Sequence, residues 1–96
     1  MAFEWDVAKN AANIAKHGID FEDAIRIFDG PVLEKADARQ DYGEARIIAF
    51  GVVDDRELAV VYTGRGERRR IISARRAHSR ERKAYREAYP KQPPAR

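Results

Sequence analysis

Two sets of side chains in this sequence have the makings of chemistry. One is the run "RRRIISARRAHSRERKAYREAY", residues 68–89, where arginine and lysine crowd a stretch that reads as a strand followed by a helix. The other is the pair of histidines, His17 and His78. A guanidinium stays protonated at any accessible pH, so it can bind or stabilise an anion but cannot act as a base. An imidazole titrates unaided near neutrality and can carry a proton in either direction. From Arg65 to Arg86 ten basic residues stand against Glu67 and Glu81, a local charge of +8, while the rest of the chain carries −5. The net charge of +3 therefore hides a polarised molecule whose basic face suits polyanions.

His17 heads a second pattern. Lys9, Asn13, Lys16 and His17 recur at i, i+4, i+7 and i+8, which puts them on one polar side of a helix. A histidine just before a helix-ending glycine also complements the helix dipole, so the position admits a structural role as well as proton transfer. His78 is a poor acid/base candidate. Arg82 and Lys83 read as a solubilising surface, and Trp5, Tyr62 and Tyr85 as packing residues. Tyr62 and Tyr85 could otherwise stack a base.

Composition narrows the field. The chain of 96 residues has 44% hydrophobic content and is expected to form one domain over residues 1–89, with 90–96, "PKQPPAR", as a disordered proline-rich tail. There is no cysteine, hence no disulfide or thiolate metal site, which suits a reducing cytoplasm. The acidic start "MAFEWDVAKN" is not expected to act as a signal peptide, and no apolar run approaches the roughly 18 residues of a membrane span. Asp54 and Asp55 fall where a hairpin turn wants aspartate, so neither a metal site nor another cofactor is expected.

The elements that must hold these groups follow from periodicity. "AFEW" reads as a short strand. Asp6 caps an alanine-rich helix over 7–17 with Val7, Ala11 and Ile14 as its apolar stripe, ended by Gly18. Asp20 starts a second helix carrying Phe21, Ala24, Ile25 and Phe28, ended by "DGP". "VLEK", "EARIIAFGVV", "ELAVVYT" and "RRRIISA" read as strands, the last three joined by tight turns as an antiparallel meander. A last helix over roughly 79–89 offers Tyr85, Tyr89, Ala84 and Ala88 to the sheet. The expected fold is α+β: a small antiparallel sheet with two N-terminal helices and a C-terminal helix, in the order β-αα-ββββ-α. Alternation along the last strand predicts Arg68, Arg70 and Arg76 on one side, with Arg69 and Arg75 on the other.

"FEWD" at 3–6, "NIAKHGIDFEDA" at 13–24, "FDGP" at 28–31 and "IISARRA" at 71–77, in this order, resemble the BrnT family, the toxin half of a type II toxin–antitoxin pair. The resemblance covers nearly the whole chain up to about Tyr85. It implies a RelE-like fold, cleavage of RNA that halts translation, and neutralisation by a BrnA-like antitoxin, with operator DNA bound only through the toxin–antitoxin complex. After "SARRA" the family usually places a threonine that opens the last helix as a capping box. Here the position is His78, so either Ser79 caps one residue later or the first turn frays.

For RNA the required chemistry is specific. One group takes the 2′-hydroxyl proton, another protonates the leaving 5′-oxygen, and fixed cations stabilise the phosphorane. The expected catalytic set is Lys16 and His17 for proton transfer or charge, with Arg70, Arg75 and Arg76 around the phosphate. Arg68, Arg69, Arg80 and Lys83 are expected to bind RNA. Two other classes fit the same basic face: a nucleic-acid-binding module without catalysis, and an interaction domain that receives an acidic protein.

Overall fold

The computed structural model describes residues 2–39 and 41–90. Strand β1 (Ala2–Glu4) leads into helix α1 (Val7–His17) and the single-turn α2 (Phe21–Ala24), which tightens into a 3₁₀ segment (Ile25–Asp29). Strands β2 (Leu33–Ala36), β3 (Ile47–Val53), β4 (Arg56–Arg65) and β5 (Arg68–Arg76) follow, then helix α3 (Ser79–Ala88). Of the expected tail, residues 91–96 lie outside the described residues.

The sheet runs in the order β1-β5-β4-β3-β2 and is mixed rather than antiparallel. β2, β3, β4 and β5 pair antiparallel, but β1 lies parallel to β5 with Glu4 opposite Arg70. Short links explain the meander. β1, by contrast, reaches its partner across most of the chain, and tight-turn logic says nothing about such a pairing. Asp54 and Asp55 both have positive φ, as a two-residue hairpin turn requires.

Two apolar clusters sandwich the sheet. On one face Ile19, Phe21, Ala24 and Ile27 pack against Ala49, Val53, Leu58, Val60, Tyr62, Ile71 and Ala74. Gly51 is needed there, because a Cβ would stand 2.7 Å from that of Ile27. On the other face Tyr85 covers Ile48, Phe50, Ala59 and Val61. The hydroxyls of Tyr85 and Tyr89 donate to the carbonyls of Pro31 and Val32, both at 2.8 Å, which seats α3 over the β2–β3 side. Ala84 and Ala88, expected in that contact, are exposed. Trp5 is half-buried, edge-on to Phe21 at 6.0 Å, rather than a full core residue.

Helix α1 overturns its expected orientation. Its buried residue is Asn13, while Val7, Ala11 and Ile14 face solvent. The cause lies at the sheet edge. β1 stops opposite Arg70, so further along β5 the Ala74 backbone, paired with β4 on one side, has no strand on the β1 side. The Asn13 amide replaces that strand: its Nδ2 donates to the Ala74 carbonyl at 2.9 Å, and its Oδ1 accepts from the Ala74 N–H at 3.1 Å. Nδ2 also donates to the Ile19 carbonyl, tying in the chain beyond Gly18. Buried backbone groups must be paired, and here a polar side chain pairs them. Asn13→Ala should therefore lower unfolding free energy by about 3 kcal/mol in urea titration, since three buried backbone groups lose their partner at once.

Candidate functional site

A register shift between Val61 and Tyr62 decides which arginines share a face. Val61 is opposite Ser73, yet Tyr62 is opposite Ile71, so Ile72 is the extra residue of a bulge. The bulge reverses the alternation. Arg75 sits opposite Ala59, Arg70 opposite Thr63 and Arg68 opposite Arg65, all on the face that α3 shares. Arg76 is opposite Leu58 and Arg69 opposite Gly64, on the face of the large cluster. The expected grouping of Arg76 with Arg68 and Arg70 is thus wrong, as is that of Arg75 with Arg69.

At the junction of β5 and α3, Arg75 is fixed bidentately. Its Nη1 and Nη2 donate to Glu81 Oε1 and Oε2 at 2.7 and 2.9 Å, with the two side chains 19% and 17% exposed. Glu81 Oε1 also accepts from the His78 backbone N–H at 2.7 Å, and His78 Nδ1 lies 3.7 Å from it. His78 is the N-cap of α3, and Glu81 holds the first turn in place of a threonine. Neither a shifted cap at Ser79 nor fraying is needed. Arg82 Nη1 completes the junction by donating to the Ala77 carbonyl at 2.6 Å.

The Arg75 guanidinium, with help from the His78 N–H, holds the Glu81 carboxyl at about 2 against an ordinary 4.5. A depressed carboxyl stabilises the fold above the unfolded-state value and loses that contribution as pH falls toward the folded one. The advantage of the native protein over Glu81→Gln in urea midpoint should therefore hold at pH 5 and above. It should shrink between pH 4.5 and 2. Asp37, lowered to about 2 by Arg39, titrates over much the same range, but in both proteins alike.

The other cations are placed as follows. Arg70 Nη1 donates to Glu4 Oε2 at 2.8 Å, and Arg68 stands 3.9 Å from the same carboxylate. Arg70 and Arg75 are five residues apart, about 16 Å of strand, and are held by carboxylates at different ends of it. So held, they do not surround one phosphate. Arg69 lies over the rings of Phe28 and Tyr62 at 4.5 and 4.9 Å. Tyr62 donates to Glu34 at 2.6 Å, and burial with that bond pushes its hydroxyl up to about 12, so it serves as a donor and not a base.

Among the described residues, Lys16, His17, Arg76, Arg80 and Lys83 are in no ion pair. His17 is half-buried and the other four are exposed. α1 starts where β1 ends, beside Arg70, and Asn13 stands beside Ala74. His17 lies one turn further along α1. The Arg76 end of β5 has His78 and Glu81 on its α3 side. Its neighbours on the α3 face, Ile72 and Ser73, are only half-buried.

A groove of about 420 Å³ lies elsewhere, lined by Val52, Asp55, Glu57, Tyr85, Arg86 and Tyr89. Its Glu57 is tied to Arg86 at 2.6 and 2.8 Å. Among the described residues no three His, Asp or Glu side chains cluster as metal ligands would, and no helix is long and apolar enough to cross a membrane.

Sequence reasoning missed the two carboxylates that set the site's geometry. Glu81 was legible only as a capping residue, and Glu4 carries no local signal, because its partner is 66 residues away. Comparison with known proteins supplies one match: a family model described as "Ribonuclease toxin, BrnT, of type II toxin-antitoxin system" fits residues 5–81, a span that includes Asn13, His17, Arg70, Arg75, His78 and Glu81. No curated protein matches the chain.

Proposed function

The chain belongs to the BrnT family of ribonuclease toxins, and from that premise we propose a metal-independent endoribonuclease, RelE-like in architecture, that cleaves RNA in the cytoplasm and halts translation. A BrnA-like antitoxin neutralises it, and operator DNA is bound only through that complex. The observation that carries the catalytic reading is the row of arginines on one side of β5, with Arg70 and Arg75 locked by Glu4 and Glu81. Cations fixed before substrate arrives stabilise developing charge without reorganising, which a floppy basic tail does not do.

In this reading the C-terminal end of β5 is the reacting end, and Arg68 and Arg70 hold the strand of RNA that runs away from it. Arg69, Arg80 and Lys83 add charge around that path. Arg75 spends part of its five-donor fork on Glu81 and the Arg76 carbonyl and presents the remainder to the phosphate; Arg76 approaches from the other side of the strand. The 2′-hydroxyl oxygen attacks phosphorus as an imidazole takes its proton. The P–O5′ bond breaks as a second group returns a proton to the leaving oxygen. The products are a 2′,3′-cyclic phosphate and a free 5′-hydroxyl, and DNA, lacking the 2′-hydroxyl, is spared. His17 and His78 are the two imidazoles, with Lys16 as an auxiliary charge.

The deciding experiment incubates the purified chain with mixed-sequence RNA under excess chelator and identifies the product ends. Cyclic or 3′-phosphate ends support the reading. Intact RNA that binds and releases with salt would replace it with a binding module.

A further inference from the structure

Helix α1 is amphipathic and faces the wrong way. Its six apolar residues, Val7, Ala8, Ala11, Ala12, Ile14 and Ala15, are all exposed, Val7 at 80% and Ile14 at 41%. The inward side is Asn10, Asn13 and His17. Asn10 serves the turn, its Oδ1 accepting from the Phe21 N–H and its Nδ2 donating to Asp20. At about 100° per residue the apolar positions sweep roughly 160° of arc. A soluble protein rarely leaves an ordered apolar face of that breadth bare unless a partner covers it.

We propose that this face docks a helix of a partner protein, one with an apolar stripe edged by carboxylates. Alanine at four of the six positions lets a second helix come close, and Val7 and Ile14, seven residues apart, are anchors in the i, i+7 manner of a helix-in-groove contact. Charge chooses the occupant. Lys9 and Lys16 line one margin of the face, also seven apart, and no acidic side chain lies within α1. A second copy packed antiparallel would set Lys9 against the other copy's Lys16, like charge against like. A helix carrying Asp or Glu along that margin meets both lysines favourably. The occupant we assign is the antitoxin of the type II pair. The inference rests on that reading for the partner's existence, but not on the ribonuclease chemistry.

The test uses the full chain and the purified antitoxin of its own pair. Val7→Glu with Ile14→Glu should weaken the complex about 100-fold, the loss of two anchors, at unchanged melting temperature and unchanged RNA cleavage by the free toxin. Lys9→Glu with Lys16→Glu should weaken it about tenfold and flatten its salt dependence. Affinity within about threefold of the native value in the first variant overturns the proposal. So does a native chain that sediments alone as a dimer which the same variant makes monomeric, since the occupant would then be a second copy. If the native chain cleaves no RNA while Val7→Glu/Ile14→Glu still loses the antitoxin, the catalytic reading fails and the docking surface stands.

Discussion

Arg75→Ala is expected to slow RNA cleavage by about 10²–10³-fold, the usual consequence of removing one preorganised donor from a developing oxyanion. Affinity for a 2′-deoxy analogue of the substrate should fall by less than about tenfold, because Arg68 and Arg70 still hold the strand. Arg75→Lys should recover little: an ammonium can neither pair bidentately with Glu81 nor present a planar fork to the phosphate. The substitution has a second effect that must be separated from the first. It strands Glu81, a partly buried carboxylate, where RNA would approach. The double variant Arg75→Ala/Glu81→Gln removes that repulsion and should stay as slow as the single one. Glu81→Gln alone leaves Arg75 charged but loosely held, so a drop of about tenfold there would measure what fixed orientation contributes. Wild-type cleavage by a folded Arg75→Ala protein would remove the C-terminal end of β5 from the chemistry.

That arrangement was only half legible in the sequence. The Asp54–Asp55 turn, the caps at Asp6 and Asp20 and the left-handed Gly18 were readable because each depends on neighbours a few residues away. The facing of the arginines was not. A bulge opposite Val61 and Tyr62 adds one residue to β5, and nothing within "RRRIISARR" marks Ile72 as the extra one. Parity beyond it is inverted, so a strict period of two pairs the wrong cations.

Helix α1 misleads for a different reason. Its pattern predicts burial of Val7, Ala11 and Ile14 because apolar residues ordinarily face the core. Here the helix lies where a strand has ended, and the backbone it meets at Ala74 demands hydrogen bonds. Asn13 meets that demand, and the apolar side is left outward. Asparagines at positions 10 and 13, one turn apart on the side of α1 opposite its apolar stripe, are thus the signal that could have been read. Unsatisfied strand edges and buried asparagines answer each other.

The same geometry makes the two histidines separable, and their individual loss is expected to be the second large effect. Transesterification moves two protons, one from the 2′-oxygen and one to the 5′-oxygen, which lie on opposite sides of the phosphorus in an in-line reaction. In the proposed mechanism one imidazole would serve each of these two protons. His78 caps α3 with its side chain 72% exposed and 3.7 Å from Glu81, while His17 sits one turn beyond Asn13 at the end of α1. Each of His17→Ala and His78→Ala should therefore cost about 10²–10⁴-fold in cleavage. The double variant should be little slower than the worse single one, since groups that act as a unit do not add. The pH–rate profile assigns the roles: losing the base flattens the acid limb, and losing the acid flattens the alkaline limb. If His78→Ala is slow and His17→Ala is not, the second proton passes through another group, and Lys16→Ala is the variant to compare, since Lys16 adjoins His17 and has no ion-pair partner among the described residues. If neither histidine matters in folded protein while Arg75→Ala still abolishes cleavage, the arginines alone stabilise the phosphorane. Water would then carry both protons, and the rate would rise steadily with pH rather than through a bell.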